Sequence, residues 1–224
     1  MSESVAGTSF AARSLADIAA TLPGATAVFR RAKLDFCCGG AVSLAEAAAM
    51  KGLELPALES DLAELAVRGL PAELPGETDA LIAFIETRYH AAHRAELPEL
   101  IRLAKRVEVA HADHPDAPLG AAALFREIAD ELLPHLDKEE QILFPMMRRG
   151  GHPMISGPIA VMLAEHEATG EKLHRLEALT HDFTLPESGA CPTWKALYGG
   201  GRKFADDLME HIHAENHVLF PRFS

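Results

Sequence analysis

From about residue 76 onward, apolar side chains recur every third or fourth position in four blocks. The blocks are separated by three breaks: HADHPDAPLG (111–120), RRGGHP (148–153) and LPESGACP (185–192). Spacings of three and four keep side chains on one face of a helix with 3.6 residues per turn, so each block predicts an amphipathic helix. Alternation of β-branched and polar residues is nearly absent, which leaves strands without support. Connections this short join antiparallel neighbours, and an antiparallel four-helix bundle follows. The predicted inward stripes are Ala83, Glu86, His90, His93, Leu97, Leu100 and Ala104; Leu124, Ile128, Leu132, His135, Glu139, Ile142 and Met146; Ile159, Met162, Leu163, His166, Gly170 and Leu173; and Leu197, Gly201, Phe204, Leu208, His211, Glu215 and Val218.

The first 68 residues carry two or three shorter helical patterns, among them SLADIAATLPGATAVFRRA and SLAEAAAMKGL. The second opens with Ser43 followed three residues later by Glu46, the signature of a capping box. The segment VRGLPAELPGETD (67–79) concentrates Gly and Pro as a linker does. The chain therefore reads as all-α: a small helical domain over residues 1–70 and a bundle over residues 76–224.

Charge narrows the partners. Against 33 acidic residues stand 21 Lys and Arg, a net charge of −12. Nucleic acid and anionic membranes attract clustered positive charge, so neither is expected as a partner. No apolar run approaches the roughly 20 residues of a membrane span, and MSESVAGTSF lacks the basic start of a secretion signal. These features predict a cytoplasmic protein. Three cysteines, Cys37, Cys38 and Cys191, make no disulfide framework. The unusual count is 12 histidines.

Their placement follows a rule. HLDKEEQILFP (135–145) and HIHAENHVLFP (211–221) share His-x-x-x-Glu and Leu-Phe-Pro at an offset of 76 residues, and the same offset carries His90 onto His166. Each half thus holds one His and, 45 residues later, His-x-x-x-Glu. Helices rise about 1.5 Å per residue, so residues on antiparallel neighbours meet at one height when their midpoint falls in the connecting turn. The midpoints of His90 with His135, Glu139 with His166 and His166 with His211 fall near 112, 152 and 188, within the three breaks. Four imidazoles and two carboxylates should meet at one level. A single inward histidine is more often a hydrogen-bonded core residue, and a single His-x-x-x-Glu pair a surface contact. Six such groups under one duplication rule point instead to ligation, because carboxylates buried in an apolar stripe need cations to neutralise them. Two metals, each held by two histidines and sharing Glu139 and Glu215, are the economical arrangement. Imidazole and carboxylate donors with open positions suit redox-active iron better than closed, thiolate-rich structural zinc.

These residues resemble the hemerythrin-like di-iron domain. Read with RYHAAHRAELPELI, KEEQILFPM, TWKALYGG, ENHVLFPR and the N-terminal LDFCCGG, the chain resembles the bacterial repair-of-iron-centres family over nearly its whole length. The resemblance implies a short N-terminal domain with a Cys pair and a C-terminal bundle holding two non-haem irons, carboxylate- and oxo-bridged. Its ligands would be His90, His135, Glu139, His166, His211 and Glu215. It further implies repair of iron–sulfur clusters after nitrosative or oxidative stress, by donating iron or by handling nitric oxide. Partners would be damaged or apo iron–sulfur proteins, with nitric oxide or oxygen as small ligands, and a homodimer is compatible with it. Nitric oxide reduction by a true enzyme and oxygen or nitric oxide sensing are the alternatives. Hemerythrins proper carry more histidine ligands, which ranks oxygen transport below these.

Cys37 and Cys38 precede a helix start, where partial positive charge lowers a thiol pKa, and adjacent cysteines bridge each other only under strain. With the resemblance they read as redox or transfer thiols. His93, on the face of His90, has Thr169 as its counterpart in the second half and is expected beside the ligands; Glu165 borders the stripe and either reaches the site or faces water. Pro134, directly before His135, removes a backbone donor and is expected to kink its helix. Cys191, His111 and His114 are placed in turns, GGGR (199–202) lacks the context of a phosphate loop, and Trp194 is a packing residue.

Overall fold

The computed structural model describes residues 10–22, 24–68 and 74–223. They are helical throughout, with no strand among the described residues beyond an isolated bridge between Ser14 and Ser43. Contacts divide the chain into two compact units, Met1–Gly76 with Ile212–Arg222, and Glu77–His211 with Phe223–Ser224.

In the first unit, α1 (Leu15–Thr21) begins where the Ser14 hydroxyl accepts from Asp17 N at 3.1 Å. The left-handed Gly24 (φ 87°) separates it from α2 (Ala25–Arg31), and α3 (Leu44–Lys51) carries the expected capping box of Ser43 and Glu46. With α4 (Leu55–Arg68) the short helices number four where the apolar pattern suggests two or three. Leu15, Ile18, Phe29, Phe36, Leu44 and Leu62 form their core. The stretch MSESVAGTS and residues 69–73 of the expected linker lie outside the described residues.

The second unit is the bundle. Its first helix joins α5 (Thr78–Ile85) to α6 (Ala91–Ala110) through a π turn at Glu86–His90. The second joins α7 (Ala121–Lys138) to α8 (Phe144–Arg148) through a π turn at Glu139–Leu143. The third, α9 (Ser156–Leu179), is regular, and the fourth, α10 (Pro192–His213), continues into a π turn at Ala214–Leu219. A π turn adds one residue to a turn and rotates everything beyond it.

That rotation corrects three of the predicted stripes. From the second π turn onward the pattern slips: Leu143 and Met147 are buried and Ile142 is 55% exposed, one position away from the Ile142 and Met146 expected inward. Beyond His211, Leu219 is buried in place of Val218. Before His90, Ile82 and Ile85 are buried in place of Ala83 and Glu86. Leu163 of the regular α9 is also more exposed than its stripe predicts, at 41%.

Pro134 sits inside α7, which continues to Lys138; the departure from α geometry comes at Glu139 instead. The third connection begins five residues earlier than expected, with left-handed backbone at His181, Asp182 and Phe183 (φ 48°, 55° and 53°). This turn lays the Phe183 ring against α10, where a Cβ on Gly201 would come within 2.5 Å of it. A Cβ on Gly200 would meet Leu100 at 3.1 Å, so the glycine tract serves close packing.

Candidate metal centre

The bundle brings together the residues singled out by the 76-residue repeat. His90 Nε2 and His211 Nε2 stand 3.0 Å apart, as do His135 Nε2 and His166 Nε2. Between the pairs lies Glu139, with Oε2 3.5 Å from His90 Nε2 and Oε1 3.4 Å from His135 Nε2. Glu215 follows His211 by one turn of the same helix. The four histidines and two glutamates are all buried, Glu139 and Glu215 completely. They form two sets of potential ligands, His90, Glu139, His211 and Glu215, and His135, Glu139, His166 and Glu215, the ligand atoms of each lying within 4.8 Å of one another.

The donors fit metal ions. An ion about 2.1 Å from each of two imidazole nitrogens sees them about 3.0 Å apart when they subtend a right angle, as neighbouring positions of an octahedron do. Removing carboxylates fully from water is costly without a compensating cation. Nitrogen and oxygen donors without thiolate suit borderline transition metals.

The hemerythrin HHE cation binding domain model matches residues 82–223, which is most of the chain. The chain belongs to that family. The ScdA_N domain, described as a domain of unknown function, matches residues 11–66. Among curated relatives, the iron-sulfur cluster repair protein YtfE of Yersinia pseudotuberculosis serotype O:1b (strain IP 31758) is 49% identical over 94% of this chain and 96% of its own. The protein of the same name from Yersinia pestis (strain Pestoides F) is 48% identical over the same shares.

Around these potential ligands, two carboxylates hold the outer ring nitrogens of two histidines. His90 Nδ1 lies 2.8 Å from Glu140 Oε1, and His135 Nδ1 lies 2.8 Å from Glu165 Oε2. A carboxylate there draws the imidazole proton to Nδ1 and leaves the Nε2 lone pair free for an ion. Arg94 braces Glu140 at 2.6 and 3.1 Å, and Lys138 pairs with Glu165. Partial burial pushes both carboxyls up, but their cationic and histidine partners outweigh it and both pKa values are lowered. Glu165, left ambiguous by its position on the helix, thus reaches the site. Glu140 is absent from the sequence-based set because it lies beside the stripe rather than on it.

The outer residues break the repeat that the ligands obey. The position 76 beyond Glu140 is Asn216, and the position 76 before Glu165 is Tyr89. Tyr89 stacks on His211 with ring centroids 5.5 Å apart. His93 is fully buried among Tyr89, Phe204 and His211, its ring 5.3 Å from that of His211. Burial above all, with the neighbouring His211 and His90, holds its pKa well below the ordinary value, so its ring is neutral. A buried carboxylate with partly exposed cations lies on the next turns: Arg88 grips Asp207 at 2.6 and 2.9 Å, and Lys203 adds a contact at 2.8 Å.

In the first unit, the cysteine pair lies in a bend ahead of α3. Asp35 Oδ1 accepts from the backbone N–H groups of Cys37 and Cys38 at 3.1 and 3.0 Å and from the Cys37 thiol at 3.2 Å. Asn216 Nδ2 and His217 Nε2, from the last π turn, hold the Cys37 carbonyl at 3.3 and 2.8 Å. The Cys37 thiol is pushed well above its ordinary pKa, first by its hydrogen bond with Cys38, then by burial and by Asp35. This runs against the lowering expected from the helix start: the first turn of α3 begins at Leu44, too far along the chain to dominate.

Cys191, which the sequence places in a turn, has the lowered thiol. It immediately precedes α10 and lies beside His111, whose hydrogen bond is the main cause bringing its pKa down to about 7, helped by the backbone N–H groups of Trp194 and Thr193. His111 and His114 pack on the fully buried Trp194 at 5.0 and 5.2 Å.

Proposed function

We propose that this chain is a non-haem di-iron protein that repairs iron–sulfur clusters damaged by nitrosative or oxidative stress, and that it works in the cytoplasm. The observation that carries the reading is the division of Glu139 between two histidine pairs, the geometry of a carboxylate shared by two ions. The repair role is supported by relatives named iron-sulfur cluster repair proteins that are nearly half identical over almost the full length. Among the described residues no helix is long and apolar enough to cross a membrane.

In this reading His90 and His211 would hold one iron and His135 and His166 the other, with Glu139 and Glu215 belonging to both sets of potential ligands. Bound iron would supply one-electron redox chemistry and open positions for a small ligand. Glu140 and Glu165 keep the protons of His90 and His135 at Nδ1, so the ligating nitrogens stay available. Phe144, against His90 with ring centroids 5.7 Å apart, excludes water from that side. Delivered iron is the cargo in the donor form of this proposal. Cys37 and Cys38 serve as its transfer thiols.

The test is reactivation of a [4Fe–4S] dehydratase inactivated by nitric oxide. The intact chain restores activity while losing iron in proportion, and Glu139→Leu/Glu215→Leu restores none. Equal recovery with both proteins contradicts the reading, and sustained turnover of nitric oxide with a reductant, without iron loss, favours a reductase instead.

A further inference from the structure

We propose that Asp35, Cys37 and Cys38 form a second metal site, a three-donor chelate for one thiophilic divalent cation, separate from the ligands of the bundle. The inference deepens the reading of the cysteines as transfer thiols and depends on it for purpose, not for geometry.

Consecutive side chains of an extended segment point to opposite sides. The bend that begins at Cys37 instead places the two Sγ atoms 3.7 Å apart. Neither cysteine is in a disulfide, and the gap is far beyond the roughly 2.05 Å of an S–S bond. It matches the edge of a tetrahedron around an ion with metal–sulfur bonds of about 2.3 Å, which is about 3.75 Å. Asp35 Oδ1 lies 3.2 Å from Cys37 Sγ, within a few tenths of an ångström of the corresponding oxygen–sulfur edge. One ligand atom from each of the three residues lies within 4.8 Å of the other two.

The backbone holds this arrangement in place. A Cβ on Gly40 would approach the Phe36 carbonyl oxygen to 2.4 Å, so the bend closes only with glycine there, and one on Gly39 would press on the Asp35 carboxylate at 3.1 Å. Asn216 and His217 fix the Cys37 carbonyl from the other side. Cys37 is buried and Cys38 exposed, so an ion enters and leaves on the Cys38 side. Two thiolates and a carboxylate leave one tetrahedral position open to solvent or to an incoming ligand. That openness separates this chelate from closed structural zinc sites.

Cobalt(II) is the probe, added without oxygen to the full-length chain carrying Cys191→Ser so that Cys37 and Cys38 are the only thiols. The bundle offers only nitrogen and oxygen donors, so a thiolate-to-cobalt charge-transfer band reports this site alone, and metal bound in the bundle is measured beside it. The expected result is a band saturating at one equivalent, abolished by Cys37→Ser and by Cys38→Ser, with affinity weakened on the order of tenfold or more in Asp35→Asn. No band from a chain that is folded and loaded in the bundle overturns the site. A band of unchanged affinity in Asp35→Asn overturns the three-donor assignment. Loss of bundle metal with the thiolate band intact counts against the di-iron reading and leaves this one standing.

Discussion

Glu139 offers one carboxylate oxygen to His90 and the other to His135, at 3.5 and 3.4 Å between the nearest atoms. A fully buried anion in that position stabilises the fold only when cations accompany it. Chelation should therefore lower the melting temperature of the intact chain. Glu139→Leu should reverse the order, raising the chelated protein by roughly 1–3 kcal/mol, a few degrees in Tm for a chain of this size. Calorimetry with and without chelator checks both; a chelated variant that melts well below the chelated parent counts against a charge held for metal.

The hydrogen bonds from Glu140 to His90 and from Glu165 to His135 predict two matched losses. Glu140→Leu and Glu165→Leu should each weaken metal binding about 10- to 100-fold while leaving helix content unchanged, the usual scale for residues that orient a ligand. Competition against a chelator of known affinity measures this. A loss in one variant only would mean that a single histidine depends on its carboxylate.

Asp207, its side chain only 7% exposed, carries a pH dependence. Burial raises its pKa, but the hydrogen bonds from Arg88 and Lys203 win and the folded value lies below 3.8. The unfolded chain then binds more protons than the native one, so the stabilisation is present above about pH 4 and fades as pH falls through the folded value. Arg88→Met should cost about 2 kcal/mol at neutral pH, with Lys203 still present as a partner. Asp207→Asn should flatten the acid limb of urea denaturation series. An acid limb unchanged by that substitution would remove Asp207 from the account.

Cys191 should be the thiol that alkylates fastest at neutral pH. Its rate with iodoacetamide should rise with a midpoint near pH 7, as its pKa of about 7 requires, and His111→Ala should move that midpoint upward. Peptide mapping after a short pulse distinguishes it from Cys37, whose thiol stays protonated. Preferential labelling of Cys37 would contradict the assignment.

Much of the centre was legible because duplication leaves a numerical trace. One offset relates three pairs of the buried histidines and glutamates that come together in the bundle, and the midpoint rule places them at one height without coordinates. The π turns were not legible, since a periodicity of 3.6 is assumed before any stripe is drawn. A stripe that slips by one residue, from Ile142 to Leu143 or Val218 to Leu219, is their only sign, and both members of each pair are apolar. Glu140 was hidden because the stripe ran through its neighbour Glu139. The pairing of Cys191 with His111 joins residues 80 apart that share no periodicity. For Cys37, local charge and burial outweighed a helix terminus that the sequence made look closer than it is.

The most direct measurement is the metal content of the purified full-length chain beside that of Glu139→Leu/Glu215→Leu. The account predicts about two irons per chain, set by two histidine pairs sharing two carboxylates, and their loss in the double variant while helix content is retained. One ion per chain, zinc in place of iron, or iron that persists without both glutamates would contradict it.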